Sequence, residues 1–210
     1  MHMNYIFIHG LGQLPMSWEK IISCFPKDIE ISCPNLSELM KGQKVTYDNL
    51  YKAFENQCNL KKSPLYLCGI SLGAELALQY TLDNPQRVNS LIMIAPQYKM
   101  PTLLLKFQNM VFHIMPESAF QEMGFAKKDI ISLTKSMYTL DFTNRIKEIL
   151  PPSLIICGQN DISNKRAAKK MADGIPNARI VFIEKAGHEV NVEAPIKVSS
   201  LIKRFWFNER

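Results

Sequence analysis

Leu65-Tyr66-Leu67-Cys68-Gly69-Ile70-Ser71-Leu72-Gly73-Ala74-Glu75-Leu76-Ala77 is the stretch whose reading decides the fold of this chain. A short apolar run reads as a buried strand, and Ala74 to Ala77 opens a helical pattern directly after it. Between the two stands Gly-x-Ser-x-Gly, the pattern of a strained strand-to-helix turn that lifts a serine out of the sheet edge. Such a turn presses the residues two before and two after the serine together, so only side chains near glycine's size fit at Gly69 and Gly73. Ser71 thereby gains exposure and the positive end of a helix dipole.

Outward from that turn, strands and helices alternate. Tyr5 to Ile8, Ile29 to Cys33, Leu65 to Cys68, Val88 to Ala95, Ser153 to Cys157 and Arg179 to Ile183 read as six strands. Helical spacing is visible around Trp18, Ile21, Ile22 and Phe25, and again at Tyr47, Leu50, Tyr51, Phe54 and Cys58. The helix after Ser71 must end by Asn84, because Pro85 disfavours helical geometry just before it. Asn164 to Ala172 and Ala194 to Phe207 complete the alternating pattern. Alternation of this kind implies a parallel sheet covered on both faces, with all strand C-terminal ends on one edge. Functional loops should gather there.

From Pro96 to Leu150 the alternation stops. Four helix-like pieces follow one another: Thr102 to Met115, Glu117 to Met123, Ala126 to Tyr138, and Asp141 to Ile149. The chain therefore reads as one domain over residues 1–210, with a core of 1–95 and 151–210 and a helical cap inserted at 96–150.

The 210 residues suffice for a single core that buries about seventy per cent of the unfolded surface. With 47% hydrophobic and 21% charged residues the composition is that of a globular protein. No apolar stretch is long enough to span a bilayer, and Met1-His2-Met3-Asn4 shows neither a basic region nor a cleavage site, which predicts a cytoplasmic protein without membrane partners. The five cysteines, Cys24, Cys33, Cys58, Cys68 and Cys157, show no metal-ligand spacing, and Cys68 and Cys157 sit in apolar runs as small hydrophobes. The formal charge of +6 is dispersed, and Lys165, Arg166, Lys169 and Lys170 read as the wet face of one helix, so no nucleic-acid partner is expected.

A serine hydroxyl needs a base to become a nucleophile. Of the four histidines, His2 lies at the terminus, His113 lies in an apolar helix of the insertion, and His9 ends the first strand, where it suits loop organisation. His188, in Ala186-Gly187-His188-Glu189 just past the last strand, falls on the same edge as Ser71. The base needs a carboxylate to hold its tautomer. Asp161 follows the fifth strand through Gly158-Gln159-Asn160 on that edge, whereas Asp28, Asp48, Asp83 and Asp173 fall elsewhere and Asp129 and Asp141 belong to the insertion. The order Ser71, Asp161, His188 is the chain order expected for this arrangement. Two N–H donors for a developing oxyanion come from Leu72, first in the helix, and from the loop Gly10-Leu11-Gly12, with Leu11 preferred and Gly12 in reserve. That loop lacks the lysine and third glycine of a phosphate cradle.

With these residues in place, the chain resembles the α/β-hydrolase fold superfamily, in particular its small esterase-like members with a helical lid. His9-Gly10-Leu11-Gly12 looks like the oxyanion loop, Gly69 to Gly73 the elbow, Gly158 to Asp161 the acid turn and Gly187-His188 the base loop. Tyr138 to Asp141, leading through Ile149-Leu150-Pro151 into a strand, looks like the family's passage from lid to core. Ala74 stands where many relatives have glycine. The resemblance implies a three-layer α/β/α sandwich with a mainly parallel six-stranded sheet lacking the family's N-terminal hairpin.

The insertion is rich in Met and Phe, side chains that suit an adaptable apolar pocket. Most should hold the cap together, and Phe107, Met110, Met115 and Met123 are the candidates for lining an acyl site. The expected activity is hydrolysis of a small-molecule carboxylic ester or thioester with a modest apolar acyl group, through an acyl-enzyme, with no metal or other cofactor, by a monomer or homodimer. Two readings stay open. A carbon–carbon bond hydrolase or a menaquinone-pathway-type lyase would want basic residues in the pocket, for which Lys99, Lys106, Lys127 and Lys128 are available, and a ligand-sensing regulator could retain the same fold.

Overall fold

The structure, a computed structural model, describes residues 3–207, so that His2 lies outside it. Strand β1 (Asn4–Ile8) leads through a 3-10 turn at Pro15–Trp18 into the single-turn helix α1 (Glu19–Ile22) and then β2 (Glu30–Ser32). Next come α2 (Leu36–Leu39), α3 (Tyr47–Asn59), β3 (Leu65–Ile70), α4 (Leu72–Asp83) and β4 (Val88–Ile94). Between β4 and β5 lie α5 (Thr102–Ile114), a 3-10 stretch at Glu117–Met123, α6 (Lys127–Ser136) and a 3-10 turn at Ile146–Glu148. The chain ends with β5 (Ser153–Gly158), α7 (Ile162–Gly174), β6 (Ala178–Ile183), α8 (Val190–Glu193) and α9 (Pro195–Phe207).

Six strands form one sheet in the order β2-β1-β3-β4-β5-β6, and every neighbouring pair is parallel. The chain steps outward from β1 to β2, then crosses back to place β3 on the other side of β1. The order therefore reverses between β1 and β3, and the loops leaving these two strands diverge around a crevice. Those are the loops that carry Leu11 and Ser71.

Alternation along the strands builds two cores. Ile6, Ile8, Leu65 and Leu67 pack on one face with Leu50 and Phe54 of α3, Leu76 of α4 and Met171 of α7. Tyr5, Phe7, Cys68 and Ile70 pack on the other with Ile21 of α1 and with Val198, Ile202 and Trp206 of α9. The result is a three-layer α/β/α sandwich with the sheet buried on both faces, which is why its central strands are almost wholly apolar.

One expected element does not form. Asp141 to Ile149 is not a helix, because Asp141 is taken by other partners. Its carboxylate accepts from the Thr143 N–H at 2.9 Å and pairs with Lys99 Nζ at 2.9 Å. The Phe142 N–H donates to Tyr98 O at 2.7 Å and the Met100 N–H to Leu140 O at 3.0 Å, so the segment starts with an antiparallel bridge between Lys99 and Asp141. An Asp side chain that captures the amide two residues on competes directly with helix initiation.

Candidate functional site

Ser71 caps α4 with φ 50°, a left-handed value that strains a side-chain-bearing residue. The strain is held by its surroundings. The Ser71 N–H donates to Ile94 O at 2.9 Å, while its carbonyl accepts from the Ala74 and Glu75 amides at 2.7 and 3.1 Å. A Cβ on Gly69 would overlap the Gly73 carbonyl, as the turn alone requires, but a Cβ on Gly73 would overlap the Ile8 carbonyl of β1. The second glycine is thus needed by packing against the neighbouring strand, and the same contact brings the β1 loop next to the turn.

Asp161 caps α7, accepting from the Asn164 N–H at 3.2 Å, and its carboxyl is buried. His188 Nδ1 lies 2.8 Å from Asp161 Oδ2. The Asn164 side-chain nitrogen lies 3.0 and 2.8 Å from the two carboxylate oxygens. Burial pushes the Asp161 carboxyl up, yet the hydrogen bonds from His188 and Asn164 outweigh it and hold the group below its ordinary 3.8. The ring of His188 remains about half exposed.

The other histidines are occupied elsewhere. His9 is buried, with Nδ1 2.9 Å from Gly10 O and Nε2 accepting from the Leu36 N–H at 3.2 Å, so its proton sits on Nδ1. Burial lowers its pKa, which keeps it neutral as a tie between the β1 loop and α2. His113 Nδ1 lies 2.7 Å from Asn109 O within α5. Burial raises the thiols of Cys33, Cys58 and Cys157 to about 12, so they stay protonated. Among the described residues no group of three or more His, Cys, Asp or Glu is disposed to hold a metal ion.

A cavity of about 610 Å³ brings together Leu11, Gly12, Ser71, Leu72, Asp161 and His188. As the first residue of α4, Leu72 has no partner for its N–H within the helix. The wall opposite comes from residues 96–150 and includes Leu104, Val111, Phe112, Met123 and Met137. Of the four residues expected there, Phe107 and Met123 line the cavity and Met110 and Met115 do not. On α5 Leu104, Leu105, Gln108, Val111 and Phe112 line the cavity together with the largely exposed Phe107, whereas Leu103, Met110 and Ile114 are exposed and do not. Met115 ends α5 and packs against the core, its carbonyl accepting from Lys127 Nζ at 2.6 Å. A depression of about 650 Å³ at the opposite, N-terminal edge of the sheet is lined by Tyr66, Asn89, Arg179 and Arg204 and contains none of these groups.

Three lining residues had no warning in the sequence. Glu75, one turn along α4, is 3% exposed and accepts from the Gln97 N–H at 2.8 Å. Gln97 Nε2 donates to Asn164 Oδ1 at 2.6 Å, so a chain of hydrogen bonds runs from Glu75 through Gln97 and Asn164 to Asp161. A second polar link, equally unforeseen, joins Gln13 after β1 to Asn191 in α8 through Gln13 Nε2 to Asn191 Oδ1 and Asn191 Nδ2 to Gln13 Oε1, both 3.2 Å.

Residues 30–145 match the family described as serine aminopeptidase S33. The chain is similar to the mouse monoacylglycerol lipase ABHD6, 24% identical across 96% of this chain and 75% of the lipase. Among solved structures it is similar to MenH from S. aureus, with a TM-score of 0.85 at 19% identity over 99% of this chain and 94% of the other. It is also similar to the enol-lactonase of Burkholderia xenovorans LB400, with a TM-score of 0.87 at 14% identity over 100% and 92%. These likenesses agree with the α/β-hydrolase fold, and no helix among the described residues is long and apolar enough to cross a membrane.

Proposed function

Because the chain belongs to the hydrolase family described as serine aminopeptidase S33, within the α/β-hydrolase superfamily, we propose that it is a serine hydrolase of small carboxylic esters or thioesters, with Ser71, His188 and Asp161 as its triad. The observation that carries the proposal is the 2.8 Å contact between His188 Nδ1 and the buried Asp161 carboxylate, on the wall of the cavity that holds Ser71. Asp161 fixes the proton on Nδ1 and leaves Nε2 as the base. His188 takes the Ser71 proton as Oγ attacks the ester carbonyl, and the Leu72 and Leu11 amides receive the oxyanion. His188 then protonates the leaving group, and water releases the acid from the acyl-enzyme by the same steps in reverse order. Residues 96–150 act as a cap that supplies the apolar acyl wall.

Two observations favour a neutral ester over other substrates. None of Lys99, Lys106, Lys127 and Lys128 lines the cavity, and Lys99 and Lys127 are engaged with Asp141 and with the His113 and Met115 carbonyls. An acidic substrate, as the lyase reading needs, would meet no cation there. An aminoacyl substrate would need a free carboxylate for its ammonium group, but Asp161 is bound by His188 and Asn164, and burial keeps Glu75 neutral near pH 7 with a pKa of about 8.

The test is a panel of p-nitrophenyl esters of rising acyl length, with fluorophosphonate labelling of wild type and Ser71→Ala. Labelling at Ser71 and a loss of turnover on the order of a million-fold in the variant are expected. Labelling that persists in Ser71→Ala would sink the assignment, and labelling without turnover of any ester would favour a ligand-sensing role.

A further inference from the structure

The imidazole of His188 is anchored at one atom. Its Nδ1 lies 2.8 Å from Asp161 Oδ2 and 2.9 Å from the Asn164 side-chain nitrogen, and about half of the side chain is exposed. A ring pinned at a single atom and open to water can pivot about that atom, so the place of Nε2 on the cavity wall depends on how firmly the backbone beneath the ring is held. Displacements of about 1 Å suffice to cost a reaction two orders of magnitude.

That backbone is gripped from two sides. Toward β5, the Asn160 N–H donates to Ala186 O at 2.9 Å, and a Cβ on Gly158 would overlap the Gly187 carbonyl, so the loops carrying Asp161 and His188 touch backbone to backbone. On the other side stands Glu193, the last residue of α8. Its Oε2 accepts the Gly187 N–H at 2.6 Å and its Oε1 accepts the Glu189 N–H at 3.1 Å. One carboxylate therefore bonds the amides immediately before and after His188.

The Glu189 bond alone would be a helix-start contact, since Glu189 caps α8 and its carbonyl accepts the Glu193 N–H at 2.9 Å. The Gly187 bond is of another kind. It reaches across His188 to a residue outside α8, and it is the shorter of the two. Gly187 is also fitted to it: the three heavy atoms nearest an added Cβ would all belong to the Glu193 carboxylate, the closest at 3.2 Å. The φ of Gly187 is not in the left-handed region, so the approach of this carboxylate, and not the backbone conformation, accounts for glycine there.

We propose that Glu193 is a positioning residue for the base: its carboxylate locks the backbone on both sides of His188, so that a ring pinned at Nδ1 holds Nε2 in one place. This rests on Ser71, His188 and Asp161 being the triad, and Glu193 acts only through His188, because it does not line the cavity.

Hydrolysis of p-nitrophenyl butyrate and the rate of fluorophosphonate labelling are compared in wild type, Glu193→Ala and Glu193→Gln, with thermal midpoints recorded for each. Glu193→Ala is expected to lower kcat about tenfold and the labelling rate by a similar factor, since both reactions need His188 as base. KM should change little, because acylation and deacylation both pass through His188 and slow together. Glu193→Gln keeps the shape and one acceptor oxygen but turns an NH2 donor toward the second amide, so kcat should fall nearly as far. Glu193 is exposed, so the variants should fold, and Glu193→Gln decides alone if Glu193→Ala does not. Wild-type kcat in Glu193→Gln would overturn the proposal. So would a lower thermal midpoint with unchanged kcat in Glu193→Ala, which is the result of a helix cap alone, or a loss confined to KM. Wild type that is neither labelled at Ser71 nor active on the ester would mean that the triad has failed and the role of Glu193 with it. Labelling and turnover that both variants leave intact would mean that the role of Glu193 alone has failed.

Discussion

The Asn164 side-chain amide donates to both oxygens of Asp161, at 3.0 and 2.8 Å. Its own oxygen accepts from Gln97 Nε2 at 2.6 Å, so the amide's orientation is fixed from the cavity side. An aspartate gripped this way cannot rotate away from His188, whose Nδ1 shares Oδ2. In the proposed mechanism Asn164 would act through Asp161 as a positioning residue. Asn164→Ala should lower kcat about tenfold, because a buried charge-assisted hydrogen bond to Asp161 is lost. Steady-state kinetics on one p-nitrophenyl ester separates kcat from KM, and an effect confined to KM would refute the positioning role.

The same substitution changes the acid response of the fold. Asp161 is held below 3.8 in the native state, so in acid the unfolded chain takes up the proton first. Its stabilisation is complete above 3.8 and is lost as pH falls through the lower native value. Asn164→Ala raises that native value and should lose less stability than wild type as pH falls from about 4 through the native value, read as urea midpoints.

Glu75 works in the opposite direction. Its native pKa of about 8 lies above the ordinary 4.5, so between those values the folded protein retains a proton that the unfolded chain releases. Stability should therefore fall with rising pH across that window, by up to about 1.4 kcal/mol per unit, and level off above it. Glu75→Gln keeps an acceptor for the Gln97 N–H and removes the titration. Thermal midpoints measured from acid to alkaline pH should slope downward in wild type and much less in the variant, and parallel slopes would show that Glu75 ionises freely in the native state.

These two residues mark the boundary of what the sequence makes legible. Gly69 to Gly73 could be read because the turn's sterics are local, and the six strands because a sheet buried on both faces writes continuous apolar runs. That Asp161 and His188 meet on the wall of the cavity holding Ser71 was legible from chain order and sheet edge. Glu75, by contrast, reads as an ordinary acidic residue in a helix's first turn, favourable to the dipole and normally solvated. Its burial and its bond from the Gln97 N–H come from tertiary packing, which no local pattern encodes. Asn164 likewise reads as a helix-start polar residue, and its second role needs Gln97 to arrive from another loop. The inward and outward stripes of α5 are both apolar, TLLLKFQNMVFHI having no clean polar face, so periodicity could not tell Met110 from Val111.

Gln13 and Asn191 offer a test of how the loop bearing Leu11 is held. Each side chain donates to the other at 3.2 Å, and both are buried. Gln13 Oε1 also accepts from the Gly10 N–H at 3.3 Å, so one amide ties the start of this loop to α8, which directly follows His188. Removing Asn191 leaves Gln13 bonded to Glu189, Gly10 and Ser17, whereas removing Gln13 leaves the Asn191 Oδ1 and the Gly10 N–H without these partners, at a cost of about 1–3 kcal/mol. Gln13→Ala should therefore lose stability in that range and Asn191→Ala less, with the double variant close to Gln13→Ala alone, so that a double-mutant cycle reads a coupling between the two. If the pair aims the Leu11 amide, kcat should fall in Asn191→Ala as well, although Asn191 does not line the cavity. Additive stabilities with unchanged kcat would mean that the loop holds its shape through His9 and the backbone alone.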